Sequence, residues 1–416
     1  MAGATAAGTA GAAGAQAASF TDAEIQTIYE RYAAFGDKAS GGAGDNACGA
    51  WLADELMRSG YAIRRQPFQT PAFDAERTDL VAGSARAEVV PQALVRTTPM
   101  QGIRGPLRLA GTGMDMTGAI ALVVLPYARW SAVSGQVETR VKAQVAAGAA
   151  AVVLVTTGPT GEALALNAPA EGPLFQRPVA VLAPKDAQPF IEAATTGQAG
   201  TLTVTGRPHS REAYNLVASL RPQARRTLVI STPRSGWFTC VGERGPGLAV
   251  WLLLARWAAT ATTANVELLC TSGHEYDNHG GAQYLEHLAP KPDRTALWVH
   301  LGANVAARDW HEGARGLQPL PGADSQRYLL ASPAILPAAS ALFAGQPGLE
   351  QAYPATVEAS AGELTNILKA GYSPAVGVFG GHRHHHAPTD GLNCVVPAHA
   401  RMAAESFVRL IKPLVA

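Results

Sequence analysis

From Thr21 the apolar positions fall at helical spacing: Ile25, Ile28, Tyr29 and Tyr32 share one face of TDAEIQTIYERYAAFG, and Thr21 followed by acidic residues marks a helix start. The Gly-rich stretch from Ser40 to Gly49 reads as a loop. ACGAWLADELMRSGY then reads as a second helix, leading into the alternating strand YAIRRQPFQT. Between about Phe73 and Ser210 the pattern changes to short Val/Ile/Leu-rich runs between Gly/Pro turns: ALVRTTP, AIALVVLP, AAVVLVTT, PVAVLAP and TLTVTG, with one helix, ETRVKAQVAAGA. From Tyr214 strands (NLVASL, TLVIST, NVELLCTSG, ALWVHLGA, AVGVFG) alternate with helices (PGLAVWLLLARWAA, HGGAQYLEHL, PAHARMAAESFVRLIKPL). Helices following buried, Val/Leu-rich strands predict an α/β three-layer sandwich with a mostly parallel central sheet, interrupted by an inserted β-rich domain. The expected limits are a flexible Ala/Gly tail at 1–19, the main domain in two parts at 20–72 and 211–416, and the insert at 73–210.

Composition narrows the function classes. A chain of 416 residues has ample length for a large core. Its 33 basic and 32 acidic side chains cancel, and charged residues make up only 16%, so no electrostatic footprint for nucleic acid is present. No apolar run reaches the roughly 18 residues of a membrane span. Residues 1–19 carry no charge and lack the basic start and apolar run of an intact signal peptide, which leaves cytoplasmic and exported origins both open, as it does the oligomeric state. The four cysteines form no CxxC pair; Cys240 and Cys270 would bridge only if the fold brought them together.

All 11 histidines lie from His209 onward, so imidazole chemistry belongs to the second half of the chain. In parallel sheets ligands gather beyond the carboxyl ends of strands. That rule selects five loops: 231–247, 272–281, 300–304, 363–366 and 380–390. GGHRHHHAPTD, with His382, His384, His385 and His386, is the densest set of metal-ligating or proton-transfer groups, against the bland reading of a solvated polar turn. His386 with Asp390 four residues on suits a ligand whose ring is oriented by a carboxylate. His274 and Glu275 end one strand, although Glu275 also suits an ordinary first-turn helix acid. The loop after TLVIST supplies Arg234, Trp237, Cys240 and Glu243. Cys240 paired with a histidine such as His274 is a weaker nucleophile candidate, because free cysteines are commonly buried hydrophobes.

The successive slots Thr232-Pro233-Arg234, Gly242-Glu243-Arg244-Gly245-Pro246-Gly247, His274-Glu275, His300-Leu301-Gly302 and His386-Ala387-Pro388-Thr389-Asp390 resemble, in order, the His-x-Asp, Gly-Ala-Asn-Asp-like, Glu-Glu, Asn-Leu-Asp and His-Thr-Pro-x-Asp motifs of the bacterial and vacuolar zinc aminopeptidases. That family has the phosphorylase/hydrolase-like fold and carries a protease-associated insert. TGAIALVVLP with RVKAQVAAGAAAVVLV is similar to the insert, and AYNLVASL resembles the strand that re-enters the main domain. The resemblance implies zinc ligands at Thr232, Glu243, Glu275, Gly302 and His386; threonine ligates zinc poorly and glycine not at all, so each zinc loses a ligand. The remaining Glu243, Glu275 and His386 are similar to the set of the single-zinc glutaminyl cyclases.

The implied activity is that of a diverged aminopeptidase-like enzyme, hydrolase or acyl-transferase-like, acting on an amide or related carbonyl of a small-molecule or peptide substrate. One zinc or other divalent metal would sit on Glu243, Glu275 and His386, with His274 as general base, Arg234 on a substrate carboxylate and His300 in a vacated slot. Trp237, Cys240, His384, His385 and Asp390 would complete the pocket. Two alternatives remain: a metal-free enzyme using the histidines, and a non-catalytic binding module on a degenerate peptidase fold. The insert is expected to overhang the pocket.

Overall fold

The computed structural model describes residues 20–92, 94–111, 113–128, 131–172 and 174–415; the segment 1–19, expected as a tail, lies outside them. Helix α1 (Asp22–Ala34) starts where the Thr21 hydroxyl accepts the Glu24 N–H at 3.2 Å, and it buries the predicted face of Ile25, Ile28, Tyr29 and Tyr32. Helix α2 (Ala43–Arg58) begins inside the stretch read as a loop. The cause is Asp45, whose carboxylate is drawn inward to accept the Gly41 N–H (2.8 Å) and the Ser272 hydroxyl (2.7 Å) and to pair with Arg234 (2.8 Å), which closes a helical turn over the glycines.

The chain continues through β1 (Ala62–Ala82), β2 (Ala85–Pro91), β3 (Ile103–Leu109), β4 (Ile120–Val124), α3 (Gly135–Ala146), β5 (Ala151–Val155), β6 (Val179–Leu182), α4 (Gln188–Thr195) and β7 (Ala199–Leu220). TLTVTG and NLVASL, expected as separate strands, are the two halves of β7, which runs antiparallel to β1 along a ribbon of 21 and 22 residues. The far halves of that ribbon join β2, β6, β5, β4 and β3, and because β1 pairs with both β2 and β7 the order closes into a ring. One face of these strands (Leu80, Leu107, Ile120, Leu122, Val153, Leu202) packs with Phe190 of α4. The other (Ala121, Val123, Val152, Leu154) packs with Val137 and Val141 of α3. The expected strand ALVRTTP is not one over its described residues 94–99, where Leu94 has a left-handed φ of 59°.

The near halves of the ribbon form the edge of the main sheet. Here lie β8 (Thr227–Pro233), α5 (Val241–Ala261), β9 (Asn265–Thr271), α6 (His279–His287) and β10 (Thr295–Leu301). They are followed by the hairpin β11 (Arg308–Gly313) and β12 (Gly316–Ala323), then β13 (Arg327–Ala331), α7 (Leu336–Phe343), β14 (Ala352–Pro354), α8 (Glu363–Lys369), β15 (Ala375–Gly380) and α9 (Pro397–Val415). Strands β9, β8, β10 and β15 lie side by side and parallel; β7 and β13 flank them antiparallel. Helices α1, α5 and α9 cover one face through Tyr29, Trp251, Leu252, Phe407 and Ile411. Helices α6 and α8 cover the other through Tyr284 and Ile367, packed on Val229, Leu269 and Trp298. Side chains of this size each contribute about 2 kcal/mol when fully buried. The three-layer α/β sandwich with its mostly parallel sheet is therefore the architecture that the periodicity predicts. Among the described residues no helix is long and apolar enough to cross a membrane.

Candidate active site

Helix α5 starts at Val241, earlier than its apolar pattern suggests, and this moves Glu243 from a loop into a helical first turn. The start is held by Asp390, whose two carboxylate oxygens accept the N–H groups of Gly242 (2.6 Å) and Glu243 (3.0 Å). A Cβ at residue 242 would stand 2.7 Å from both Asp390 Oδ1 and His382 Cε1, so only glycine fits under this cap. His382 Nε2 lies 3.2 Å from Asp390, with both side chains fully buried. Burial alone would lower the His382 pKa, but the Asp390 charge and hydrogen bond overcome it and hold the pKa up. Asp390, expected in the pocket, instead anchors the helix that carries Glu243.

Glu243 is fully buried and converges with His385 and His386: one ligand atom from each lies within 4.8 Å of the others. His386 Nδ1 donates to the Ala165 carbonyl at 2.8 Å, which turns Nε2 towards Glu243 Oε1, 3.5 Å away. His385 stacks on His386, ring centroids 4.1 Å apart. The same Oε1 is 2.6 Å from a terminal nitrogen of Arg244, whose Nε donates to the Ser235 carbonyl at 3.0 Å. Burial pushes the Glu243 pKa up, yet the Arg244 charge, with the facing His385 and His386 rings, holds it well below the usual carboxylate range.

Glu275 is not part of that cluster. Its Oε2 accepts the Ser40 hydroxyl and, at 3.2 Å, the Ser235 hydroxyl. Burial pushes its pKa up to about 7 against the Ser40 hydrogen bond. The three expected ligands therefore separate: Glu243 and His386 meet, His385 joins them, and Glu275 is tied to two serines.

A cavity of about 400 Å³ opens beside the cluster, lined by His274, His300, Gly302, Glu363, His385 and His386 from four of the five selected loops. His274 Nδ1 faces Glu363 Oε1 at 3.4 Å, and that oxygen also accepts the Thr271 hydroxyl at 2.6 Å. Although burial would raise it, the Glu363 pKa is held low by its bond to His274 and by the His300 and His274 rings, so a carboxylate that can only accept leaves the proton on Nδ1. Burial and then Arg244 hold the His274 pKa down, so its Nε2 is a bare acceptor. His300 is set differently. The Trp298 indole N–H donates to Ser231 Oγ at 2.8 Å, and Ser231 stands 2.9 Å from His300 Nδ1. An indole has no acceptor, so the hydroxyl proton goes to the imidazole and Nε2 carries the ring hydrogen. Burial pushes the His300 pKa down to about 4.

The stretch between β5 and β6 lies against this site. Ala165 N–H donates to the His386 carbonyl (3.1 Å), Ala168 N–H to the Glu275 carbonyl (3.0 Å), and the Trp237 indole to Asn167 (2.8 Å). Ser131, Ala132 and Asn167 line the cavity. Trp237, expected in the pocket, lines a second cleft of about 990 Å³, together with Tyr276, Arg211 and His209.

Four further residues expected at the site do not reach the cavity either. Arg234 is fully buried, paired with Asp45 and donating to the carbonyls of Cys270 (2.9 Å) and Tyr214 (2.7 Å), so it is committed to the interior rather than to a substrate. Cys240 is 3.1 Å from the Tyr32 hydroxyl, with its thiol pKa pushed well up by burial, and all four cysteines are free. His384 packs on Trp310 at 4.7 Å and bonds Thr389, and Asp390 caps α5. Of the vacated slots, Gly302 lines the cavity, while the Thr232 hydroxyl donates to the Leu301 carbonyl at 2.8 Å. Sequence reasoning missed Glu363, although it selected the loop, and Arg244, which it read only as part of a motif.

A mostly parallel sheet between helical layers, interrupted by a β lobe, is a fold shared with solved zinc aminopeptidases. The chain superposes on the zinc aminopeptidase from Bacillus subtilis with a TM-score of 0.74 at 15% identity, covering 96% of each chain. It matches an aminopeptidase from Aneurinibacillus sp. strain AM-1 (0.66, 14%, 94% of each) and a peptidase M28 precursor from Shewanella amazonensis SB2B (0.68, 13%, 95% of this chain and 97% of that one). These likenesses establish the fold. No protein-family profile matches the sequence, and no curated protein is a significant match.

The residues present do not fit a pair of zinc ions. Slot 302 has no side chain, the Thr232 hydroxyl is spent on a carbonyl, Glu275 is bound by two hydroxyls, and Glu243 is already neutralised by a guanidinium. A dication beside that arginine would meet repulsion of several kcal/mol, since two unit charges about 4 Å apart interact by about 4 kcal/mol at an effective dielectric near 20.

Proposed function

We propose that this protein is an enzyme acting on the carbonyl of a small amide or peptide, by acid/base chemistry of imidazoles rather than through a metal pair. The observation that carries the reading is the opposite setting of two neutral histidines on one cavity: His274 offers a bare Nε2 backed by Glu363, and His300 offers an Nε2–H backed by Ser231. His274 Nε2 would take the proton from an attacking water or amine, and the Glu363 carboxylate would stabilise the imidazolium that results. His300 Nε2–H would donate to the carbonyl oxygen as negative charge develops on it. A cavity of about 400 Å³ suits a ligand of dipeptide size. The solved aminopeptidases of this fold support a peptide-like substrate.

A second reading, one divalent ion on Glu243, His385 and His386, is favoured by the convergence of their ligand atoms. The two are separated by assaying an amide and dipeptide panel with the wild type, His274→Ala and Glu363→Gln, with and without chelator. General-base removal should cost about 100-fold or more. Losses under about 3-fold in both variants would overturn the role of His274.

A further inference from the structure

Glu243 Oε1 faces two nitrogens: Nε2 of His386 at 3.5 Å and the Arg244 guanidinium at 2.6 Å. A buried carboxylate facing an imidazole nitrogen that is itself buried requires positive charge beside it. The arrangement is therefore that of a cation site, with its orienting second hydrogen bond already in place from His386 Nδ1 to the Ala165 carbonyl. We propose that the Arg244 side chain is the resident cation of this site, replacing a metal ion with a covalently attached charge and making the cluster refractory to divalent metals.

Three observations beyond the pair itself support it. Arg244 is 1% exposed and lines neither of the two cavities described above, so its charge serves the interior. Its Nε is fixed by the carbonyl of Ser235, the residue whose hydroxyl bonds Glu275, and the Glu275 charge acts on the guanidinium as well. Its terminal nitrogens have no hydrogen-bonded partner of good geometry, so the contact with Glu243 is one of charge. The inference concerns metal occupancy alone and stands or falls separately from the activity of His274.

The test is a titration of untagged, chelator-dialysed protein with Zn(II), and with Co(II) for its visible absorption spectrum. The wild type should bind neither ion stoichiometrically at micromolar concentration, and Arg244→Lys, which keeps the charge, should behave alike. Arg244→Met should gain one equivalent of metal with at least 100-fold tighter binding, a cobalt spectrum of low-coordinate nitrogen/oxygen ligation, and a metal-dependent rise in Tm. The double variant Arg244→Met/Glu243→Gln should lose that gain. Stoichiometric zinc on the wild type that disappears in Glu243→Gln would overturn the proposal, as would a folded Arg244→Met that binds no more tightly than the wild type. If Arg244→Met does not fold, the wild-type titration against Glu243→Gln decides by itself.

Discussion

Acidification offers a direct probe of how His300 is held. Its folded pKa is near 4 and its unfolded value is 6.5. Between those values the unfolded chain binds a proton at this residue that the folded chain does not, so the stability present above pH 6.5 is lost as the pH falls towards 4. At about pH 4.5 protonation stabilises the unfolded state by about 2.7 kcal/mol and the folded state by about 0.2, a net loss of about 2.5 kcal/mol. Structurally, a proton on Nδ1 would face the Ser231 hydroxyl, which the Trp298 indole already obliges to donate. In His300→Gln the carboxamide oxygen can accept the same Ser231 hydrogen without titrating. Urea unfolding of both proteins, followed by fluorescence and circular dichroism to check that the transitions coincide, should show the variant gaining about 2.5 kcal/mol relative to wild type between about pH 7 and pH 4.5. A wild-type to variant difference that stays constant within about 0.5 kcal/mol would refute the bare Nδ1, and with it the Nε2–H donor on which the proposed chemistry depends.

Two further substitutions test the surroundings. Glu275 has a raised folded pKa of about 7, so its ionisation costs stability as the pH rises from 4.5 to 7; Glu275→Gln, which can still accept from Ser40 and Ser235, should be more stable than wild type by about 3 kcal/mol above pH 7 and no more stable near pH 4, as read by denaturant unfolding. Asp390→Ala should cost about 4 kcal/mol, because it removes the cap of α5 and leaves His382 buried without its partner, and a loss below about 1 kcal/mol in thermal or urea unfolding would contradict that role.

The fold was largely legible because its signals are local. The strand AVGVFG coincides with β15, the apolar helix from Pro246 lies within α5, and the loops after these strands did hold most of the cavity-lining groups. What escaped depends on distance in sequence. The continuity of β7 through Arg207, Pro208 and His209 is imposed by its ladder to β1, since polar and proline residues there read as a break. Arg234 looked like a substrate-binding cation because nothing local reveals Asp45, 189 residues earlier, as its partner. Glu275 and Glu243 were indistinguishable as strand-end acids. Ser40 claims one and Arg244 the other, and only the packed structure assigns them. Glu363 had one available signal, its place in a loop at the strand ends, and lacked a neighbouring motif to make it stand out.

The central claim is that His274 and His300 perform carbonyl chemistry without help from a bound ion. The most direct measurement is a mass-spectrometric screen of chelator-dialysed wild type and His274→Ala against small amides and dipeptides, with metal content determined on the same samples. The account predicts products from the wild type at substoichiometric metal and about 100-fold less from the variant. Products that form only after stoichiometric metal is restored, or at equal rates in both proteins, would contradict it.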